Sequence, residues 1–240
     1  MLIEVCANSL ESALNAQEAG ADRIELCSEL GVGGITPSHG LIQLVKEQLD
    51  IPIHVLIRPR SGHFTYSEQE FEVMKKDIAF CVEMRVDGIV SGVLHSDFSL
   101  DIEKTKQLIA LSKPLKFTFH RAFDWVSNPR KALIHLEELG VDYILTSGGE
   151  TSAEKGLDLL SELNAISKQC TIMAGGGIKI DNATKFKNAR LKAIHLSGIS
   201  FGNMINVNKR ISMNSEAHLK EDQVAVTNME TIRQIVRSVK

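Results

Sequence analysis

Eight strand-like segments alternate with helix-like segments along the chain, and this alternation constrains the fold more than any other feature. Repeated units of this kind predict parallel strands joined by right-handed crossovers. Eight such strands in a chain of 240 residues match a closed (β/α)8 barrel of the TIM type. The predicted strands cover residues 2–6, 22–27, 53–57, 87–94, 116–120, 142–147, 171–175 and 192–197.

The alternative fold is an open, doubly wound sheet. Such a sheet usually carries a glycine fingerprint at its first turn, and the stretch "EVCANSLESA" has none. We therefore expect a single α/β barrel domain over residues 1–240, with the barrel in about residues 1–200. Residues 201–240 are expected to form a C-terminal extension, a long polar excursion followed by a final helix near 228–238. The candidate helix N-caps are Ser9, Ser67, Asn128 and Asp181.

Composition excludes several classes of function. Hydrophobic residues make up 43% of the chain and charged residues 24%, which supports a large core. The net charge of −3 and the lack of a basic patch argue against nucleic acid and anionic membranes as partners. The four cysteines lack CxxC spacing and indicate reduced thiols. The opening "MLIEVC" resembles a strand and not a signal peptide, and no apolar stretch reaches membrane-spanning length, so we expect a cytoplasmic protein.

Side-chain alternation places several ionisable residues inside the predicted barrel. Apolar residues such as Ile3 and Val5 must face the surrounding helices, which turns their neighbours towards the lumen. Barrels of this kind place their chemistry at the C-terminal ends of the strands, where Asp124 also falls. The candidate catalytic residues are therefore Glu4, Glu25, Arg58, His120, Asp124 and His195. The alternative is a structural cluster in which the two glutamates neutralise Arg58, and in either case Arg58 should contact a carboxylate.

Glycine-rich turns follow the last three predicted strands, as "TSGGE", "MAGGGI" and "HLSG". Backbone N–H groups of such loops converge on anions, and this fold often binds phosphate at its seventh and eighth loops. Tight turns need glycine in any case, so the glycines alone do not indicate a binding site. The prediction of an anion site rests on the position of these turns in the barrel. The candidate ligand-binding residues are Arg60, Ser147, Gly148, Gly175, Gly176, Ser197 and Gly198.

The sequence resembles the CutC family, whose members are named as copper homeostasis proteins. The matching stretches are "ADRIELC", "GGITPS", "IRPRSGHFTYSEQE", "GIVSGVL", "TFHRAFD", "LTSGG", "MAGGGI" and "ISMNSEAH". They span nearly the whole chain in order. The resemblance implies a TIM-type barrel, a cytoplasmic location, assembly into a homodimer or higher homo-oligomer, and copper binding. It implies no particular reaction.

Copper in the cytosol is Cu(I), a soft ion that prefers sulfur ligands. Cys6 and Cys27 face inward at the ends of adjacent predicted strands, which lie roughly 4.8 Å apart. Two sulfurs so placed are candidate ligands for one Cu(I) ion in near-linear geometry. The alternative is that they are two small, buried apolar side chains.

The polar barrel mouth also predicts an enzyme. Carboxylates beside a histidine divide acid and base roles when their environments separate their pKa values. The arginines and the glycine-rich loops then suggest an anionic or polyhydroxylated small molecule as substrate. A scaffold protein, the third class, would not need inward-facing ionisable residues.

Overall fold

A computed structural model of the protein describes residues 1–202, 211 and 224–240. Eight parallel strands form a closed barrel in sequence order, and β1 closes it by pairing with β8. The predicted TIM-type barrel is confirmed. The strands are β1 (Leu2–Ala7), β2 (Arg23–Leu26), β3 (Ile53–Leu56), β4 (Gly88–Ser91), β5 (Lys116–Phe119), β6 (Tyr143–Thr146), β7 (Thr171–Gly175) and β8 (Ala193–Leu196).

Helices cover the outside of the barrel and follow from their own sequence patterns. In the third helix Phe71, Met74, Ile78 and Cys81 are buried at helical spacing, and burial of each large apolar side chain contributes about 1.5–3 kcal/mol. The barrel helices are α1 (Leu10–Glu18), α2 (His39–Gln48), α3 (Glu68–Glu83), α4 (Ile102–Ser112), α5 (Pro129–Glu138), α6 (Leu157–Ile166) and α7 (Ala183–Asn188).

Capping side chains fix the helix starts in three of the four predicted places. The side chains of Ser9, Ser67 and Asn128 accept hydrogen bonds from the first turns of α1, α3 and α5. The prediction for Asp181 is wrong, because Asn182 occupies the cap position of α7. The Asn182 side chain accepts from the Lys179 amide and so ties down the loop before the helix.

Strand register decides which inward side chains become neighbours. Glu4 of β1 pairs with Arg23 of β2 on one side and with His195 of β8 on the other. Cys6 pairs with Glu25 one step closer to the C-terminal end of the strands. The predicted alternation is confirmed on these strands, because the intervening apolar residues are fully buried beneath the helices; they include Ile3, Val5, Ile24, Leu26 and Ile194.

The C-terminal extension contains regular structure that the sequence analysis did not predict. Strand β9 (Ile199–Gly202) pairs antiparallel with β10 (Val224–Thr227). The last helix, α8 (Met229–Val239), begins one residue later than predicted. It buries apolar residues and packs against α1 and α7. The rest of the predicted excursion, 203–210 and 212–223, lies outside the described residues.

Candidate functional site

A cavity of about 850 Å³ opens at the C-terminal mouth of the barrel. Its walls come from the loops that follow several strands, and Thr231 of α8 also reaches it. This is the end of the barrel where the fold places its chemistry. The lining includes four of the six predicted catalytic residues, which are Glu25, Arg58, His120 and His195.

Beneath the cavity, Glu4 and Arg23 form a buried ion pair, called here the basal pair. Arg23 Nε lies 2.5 Å from Glu4 Oε2, and both side chains are almost fully buried. The Arg23 guanidinium also lies over the ring of Tyr143 at 3.9 Å. Burial alone would raise the pKa of Glu4, but Arg23 and the hydrogen bond from His195 outweigh it and lower the pKa to about 2. Glu4 is therefore ionised at neutral pH.

His54 lies beside the basal pair, near the bottom of the barrel. Its Nδ1 is 4.0 Å from Glu4 Oε2, too far for a hydrogen bond. Burial and the charge of Arg23 lower the pKa of His54 to about 4. His54 is thus neutral at pH 7 and is remote from the cavity lining.

His195 connects the basal pair to the cavity. Its Nδ1 lies 2.8 Å from Glu4 Oε1 and donates to it, because Glu4 remains ionised. Burial by itself would lower the pKa of His195, but the charges of Glu25 and Glu4 outweigh it and raise that pKa. A carboxylate on one ring nitrogen fixes the orientation of the imidazole.

Glu25 is a buried carboxylate on the lining of the cavity. It is only 4% exposed, and Cys6 Sγ donates to its Oε1 at 3.7 Å. Its Oε2 has no hydrogen-bond partner among the described residues and lies 4.0 Å from His195 Nδ1. Burial raises the pKa of Glu25 to about 7, against the opposing effect of His195. The protonation of Glu25 is therefore coupled to that of His195 through their charges.

The two inward cysteines are adjacent. Cys6 Sγ and Cys27 Sγ lie 3.3 Å apart, and both side chains are buried. The hydrogen bond with Cys27 and burial raise the pKa of Cys6 well above its usual value. Donor atoms of Cys6, Glu25 and His195 lie within 4.8 Å of one another and could hold a metal ion.

Arg58 lines the cavity, but none of its contacts among the described residues is with a carboxylate, so the predicted pairing with Glu4 or Glu25 is wrong. Its guanidinium donates to the backbone carbonyl groups of Val32, Gly34 and Gly62. Arg58 follows the end of β3 and lies above the level of the glutamates. Its guanidinium therefore contacts carbonyl groups of the loops after β2 and β3. The cation that pairs with Glu4 is Arg23 and not Arg58. The sequence contained this information, because Arg23 shares its side of β2 with Glu25.

Asp124 is a loop clamp outside the cavity lining. It accepts hydrogen bonds from the Ser147 and Gly149 amides and from the hydroxyl of Thr146. It also forms an ion pair with Arg121, which donates in turn to Ser147 Oγ. This network joins the segment after β5 to the loop after β6. Asp124 and Ser147, predicted as catalytic and ligand-binding residues, thus have their polar atoms occupied by neighbouring loops.

The predicted ligand-binding residues divide into two groups. Gly176, Ser197 and Gly198 line the cavity, whereas Arg60, Ser147, Gly148 and Gly175 lie outside its lining. Arg60 pairs with Glu70 at the start of α3. The Gly148 amide donates to Thr146 Oγ1, and its Cα packs so closely on Gly156 that a Cβ would lie 2.2 Å from the Gly156 carbonyl oxygen. The loop after β6 therefore has no free anion cradle, and the loops after β7 and β8 supply the glycine-rich wall.

Several cavity residues were missed by the sequence analysis. Phe64 and Trp125 form an aromatic wall, with ring centroids 5.1 Å apart in an edge-on arrangement. Arg121, Lys179 and Asp181 add charge near the opening. These residues lie in loops or short turns, where strand alternation gives no information about side-chain direction. Only the position of the loops after β3, β5 and β7 could have indicated them.

The fold and the cavity together define a TIM-type barrel protein with an ionisable pocket at the strand C-termini. The sequence profile of the CutC family matches residues 1–200. A family protein CutC from Enterobacter sp. (strain 638) is 44% identical over 222 residues, covering 92% of this chain and 90% of that protein. A family protein CutC from Photorhabdus laumondii is 48% identical over 195 residues, covering 81% and 79%. The chain belongs to the CutC family.

Solved structures agree with this assignment. A CutC crystal structure from Streptococcus agalactiae, described as that of a candidate copper homeostasis protein, superposes with a TM-score of 0.78 at 32% identity. It covers 82% of this chain and 98% of that one. Thiamine phosphate pyrophosphorylase from Pyrococcus furiosus shares only the fold, with a TM-score of 0.61 at 15% identity over 99% of this chain and 95% of that one.

Among the residues that the structure describes, no helix combines the length and apolarity that crossing a bilayer requires. The expected homo-oligomer and cytoplasmic location stay predictions.

Proposed function

We propose that the protein is an enzyme that performs acid–base chemistry on a small anionic or polyhydroxylated molecule bound in the mouth cavity. The observation that carries this proposal is Glu25. Its carboxylate is buried at the cavity, has an unpartnered oxygen among the described residues, and has a pKa of about 7. A group that titrates near the working pH is the most effective proton donor and acceptor.

His195 and Glu4 support the same role. Glu4 is held ionised by Arg23 and accepts the Nδ1 proton of His195, so the imidazole has a fixed orientation next to Glu25. In the proposed mechanism Glu25 removes or delivers a proton at the substrate. His195 stabilises the ionised form of Glu25, which exists before the carboxylate accepts a proton and after it delivers one. The near-complete burial of Glu4 and Glu25 keeps bulk water away from this transfer.

The loops after β7 and β8 are the proposed binding wall for an anionic substituent. The amides of Gly176, Gly177 and Gly198 find no hydrogen-bond acceptor among the described residues, and all three residues line the cavity. Lys179 and Arg121 lie on the same lining and supply positive charge. Consecutive free amides with nearby cations are the arrangement that binds phosphate or carboxylate groups.

The test is a screen of small phosphorylated and polyhydroxylated compounds. NMR detects either consumption of the compound or exchange of its C–H protons with D2O. Glu25→Gln should abolish turnover of any substrate found, while the fold is retained. Glu83→Gln, on an exposed position at the end of α3, is the matched control and should leave turnover unchanged. Full turnover by the Glu25→Gln variant would exclude this proposal.

A second candidate function is Cu(I) binding at Cys6 and Cys27, supported by the adjacency of their two buried thiols, whose sulfurs lie 3.3 Å apart. The donor type fits a soft ion, and the S. agalactiae relative is described in terms of copper homeostasis. The spacing fits less well. Two sulfur–metal bonds of about 2.3 Å in a linear arrangement need sulfurs about 4.6 Å apart, so binding would require the pair to open.

Anaerobic competition for Cu(I) against a colorimetric chelator tests this second function. Cys6→Ser combined with Cys27→Ser should abolish stoichiometric binding. Cys170→Ser, which removes a buried thiol beneath β7, is the control and should retain it. Equal affinity in the double variant would exclude the cysteine pair as the copper site.

A further inference from the structure

His120 is the cavity residue whose position is most tightly determined. Phe64 packs on its ring with centroids 4.9 Å apart, and Phe119 lies at 6.1 Å. On a third side is the backbone of Gly92, where a Cβ would lie 2.7 Å from His120 Nδ1. The ring is 5% exposed at the cavity lining, so any side chain at residue 92 would displace it.

One hydrogen bond fixes the tautomer of His120. The Ala122 amide donates to His120 Nδ1 at 3.2 Å, so Nδ1 carries the lone pair and the proton of the neutral ring is on Nε2. His120 Nε2 is buried and has no partner among the described residues. A buried N–H without an acceptor costs about 1–3 kcal/mol. A bound molecule that supplies an acceptor would remove this cost.

The ring also stays uncharged. Burial and the positive charge of Arg58 lower the pKa of His120 to about 3. At neutral pH His120 therefore cannot serve as a general acid of ordinary strength, and its Nδ1 is not free to act as a base. What remains is hydrogen-bond donation from a fixed, neutral N–H group.

We propose that His120 Nε2–H donates to the carbonyl oxygen of the substrate, and that the substrate is a small α-hydroxy aldehyde or ketone that bears an anionic group. This inference rests on the proposed acid–base function of Glu25. Among the described residues, the cavity lining has three buried polar atoms without a partner, which are Glu25 Oε2 on β2, His120 Nε2 after β5 and Arg58 Nε after β3. The first two belong to a carboxylate and a neutral N–H donor. Enolisation of a carbonyl compound needs these two groups, one at the carbon and one at the oxygen.

The step balances without another reactant. The Glu25 carboxylate takes the proton from the carbon next to the carbonyl group. The electron pair of that C–H bond forms the C=C bond, and the C=O π electrons move to oxygen. His120 Nε2–H donates to the resulting enolate oxygen, and Glu25 then returns the proton to the carbon from which it was removed. A free amide wall at the loops after β7 and β8 holds the anionic group of the same molecule.

Two measurements on the full chain test the inference. The first is deuterium incorporation from D2O into dihydroxyacetone phosphate, ribulose 5-phosphate and erythrulose, followed by proton NMR. The second is calorimetric binding of 2-phosphoglycolate, a mimic of a phosphorylated enediolate. The wild type should catalyse exchange in at least one phosphorylated compound and bind the mimic. His120→Ala should lower the exchange rate by about a hundredfold, and His120→Gln, which keeps a donor, should recover part of it.

Gly92→Ala keeps the histidine at residue 120 but displaces its ring. It should weaken binding of the mimic about tenfold. Gly40→Ala is the matched control, because a Cβ at residue 40 meets nothing within 4 Å. Nitrogen-15 NMR of the imidazole should show a neutral ring protonated at Nε2 from pH 6 to 8, with the Nε2–H resonance shifting when the mimic binds.

The outcomes separate the two proposals. If Glu25→Gln abolishes exchange while His120→Ala retains it, the acid–base function stands and the inference about His120 is overturned. If the wild type neither exchanges these compounds nor binds the mimic, the inference about His120 and its substrate is overturned, while the acid–base function is decided by the broader screen and the Glu25→Gln variant. A His120 ring that is charged at pH 7, or protonated at Nδ1, also overturns the inference.

Discussion

The inward ionisable residues form two levels that differ in how fully they are paired. In the lower level the basal pair of Glu4 and Arg23 is closed, with a contact at 2.5 Å and additional partners for both groups. In the upper level Glu25 Oε2 and His120 Nε2 are buried without partners among the described residues. Both levels arise from the same alternation of side chains along the strands. Under the proposed function, the lower level serves stability and the upper level serves ligand chemistry, because native sites retain groups that cost stability.

The largest expected effect comes from opening the basal pair. Arg23→Met leaves the buried Glu4 charge without its cation, with only the hydrogen bond to His195 remaining, and we expect a loss of about 3–5 kcal/mol in the free energy of unfolding. Urea denaturation at pH 7 measures it. Arg130→Met breaks an exposed ion pair with Glu162 and serves as the control, with no measurable loss expected. A loss equal to that of the control would show that the lower level is not structurally important.

The upper level should respond in the opposite direction. Glu25→Gln is expected to stabilise the protein at pH 8, because its folded pKa of about 7 lies above the ordinary value of 4.5. A raised pKa means that the folded state binds more protons between these pH values, so wild-type stability falls as the pH rises through 7. The difference corresponds to about 3 kcal/mol. The gain should disappear below about pH 4.5, where the wild-type carboxyl is protonated in both states.

Urea melts of the wild type and the Glu25→Gln variant at pH 4.5, 6 and 8 check this sign. Glu83→Gln, exposed at the end of α3, should give a difference that does not change with pH. Destabilisation of the Glu25→Gln variant at pH 8 would place Glu25 with the basal pair and remove the contrast between the two levels.

The alternation of strands and helices was sufficient to predict the barrel. The alternation of side chains along the strands was sufficient to predict the inward direction of five ionisable residues. It could not predict their partners, because these depend on the stagger between strands. Arg58 illustrates the limit: its inward direction was predicted, but it lies above the glutamates and donates to loop carbonyl groups. Arg23 could have been found from its place on β2, since it has the same parity as Glu25.

Loop conformation was less predictable than strand direction. The glycines of "TSGGE" suggested an anion cradle, whereas the loop is fastened by Asp124 and by the close approach of Gly148 to Gly156. The first contact joins residues 23 positions apart, and the second depends on how the whole loop after β6 folds back on itself, so no local pattern encodes them. The pairing of β9 with β10 was missed for the same reason, because it joins segments on either side of residues 203–223.

The smallest expected effect concerns the loop clamp at Asp124, which tests the boundary between the cavity and its supporting wall. Asp124→Asn removes the charge that faces Arg121 and weakens the bonds from the Ser147 and Gly149 amides. We expect a loss of about 1–3 kcal/mol. Amide hydrogen exchange should show reduced protection at Ser147, whose N–H lies 2.9 Å from the carboxylate. Asp50→Asn, an exposed position, should change neither measurement.

If Asp124 were instead a cavity residue, as its place after β5 first predicted, the Asp124→Asn variant would keep its stability and its Ser147 protection and lose ligand binding. That result would transfer Asp124 from the structural wall to the upper, functional level of the barrel.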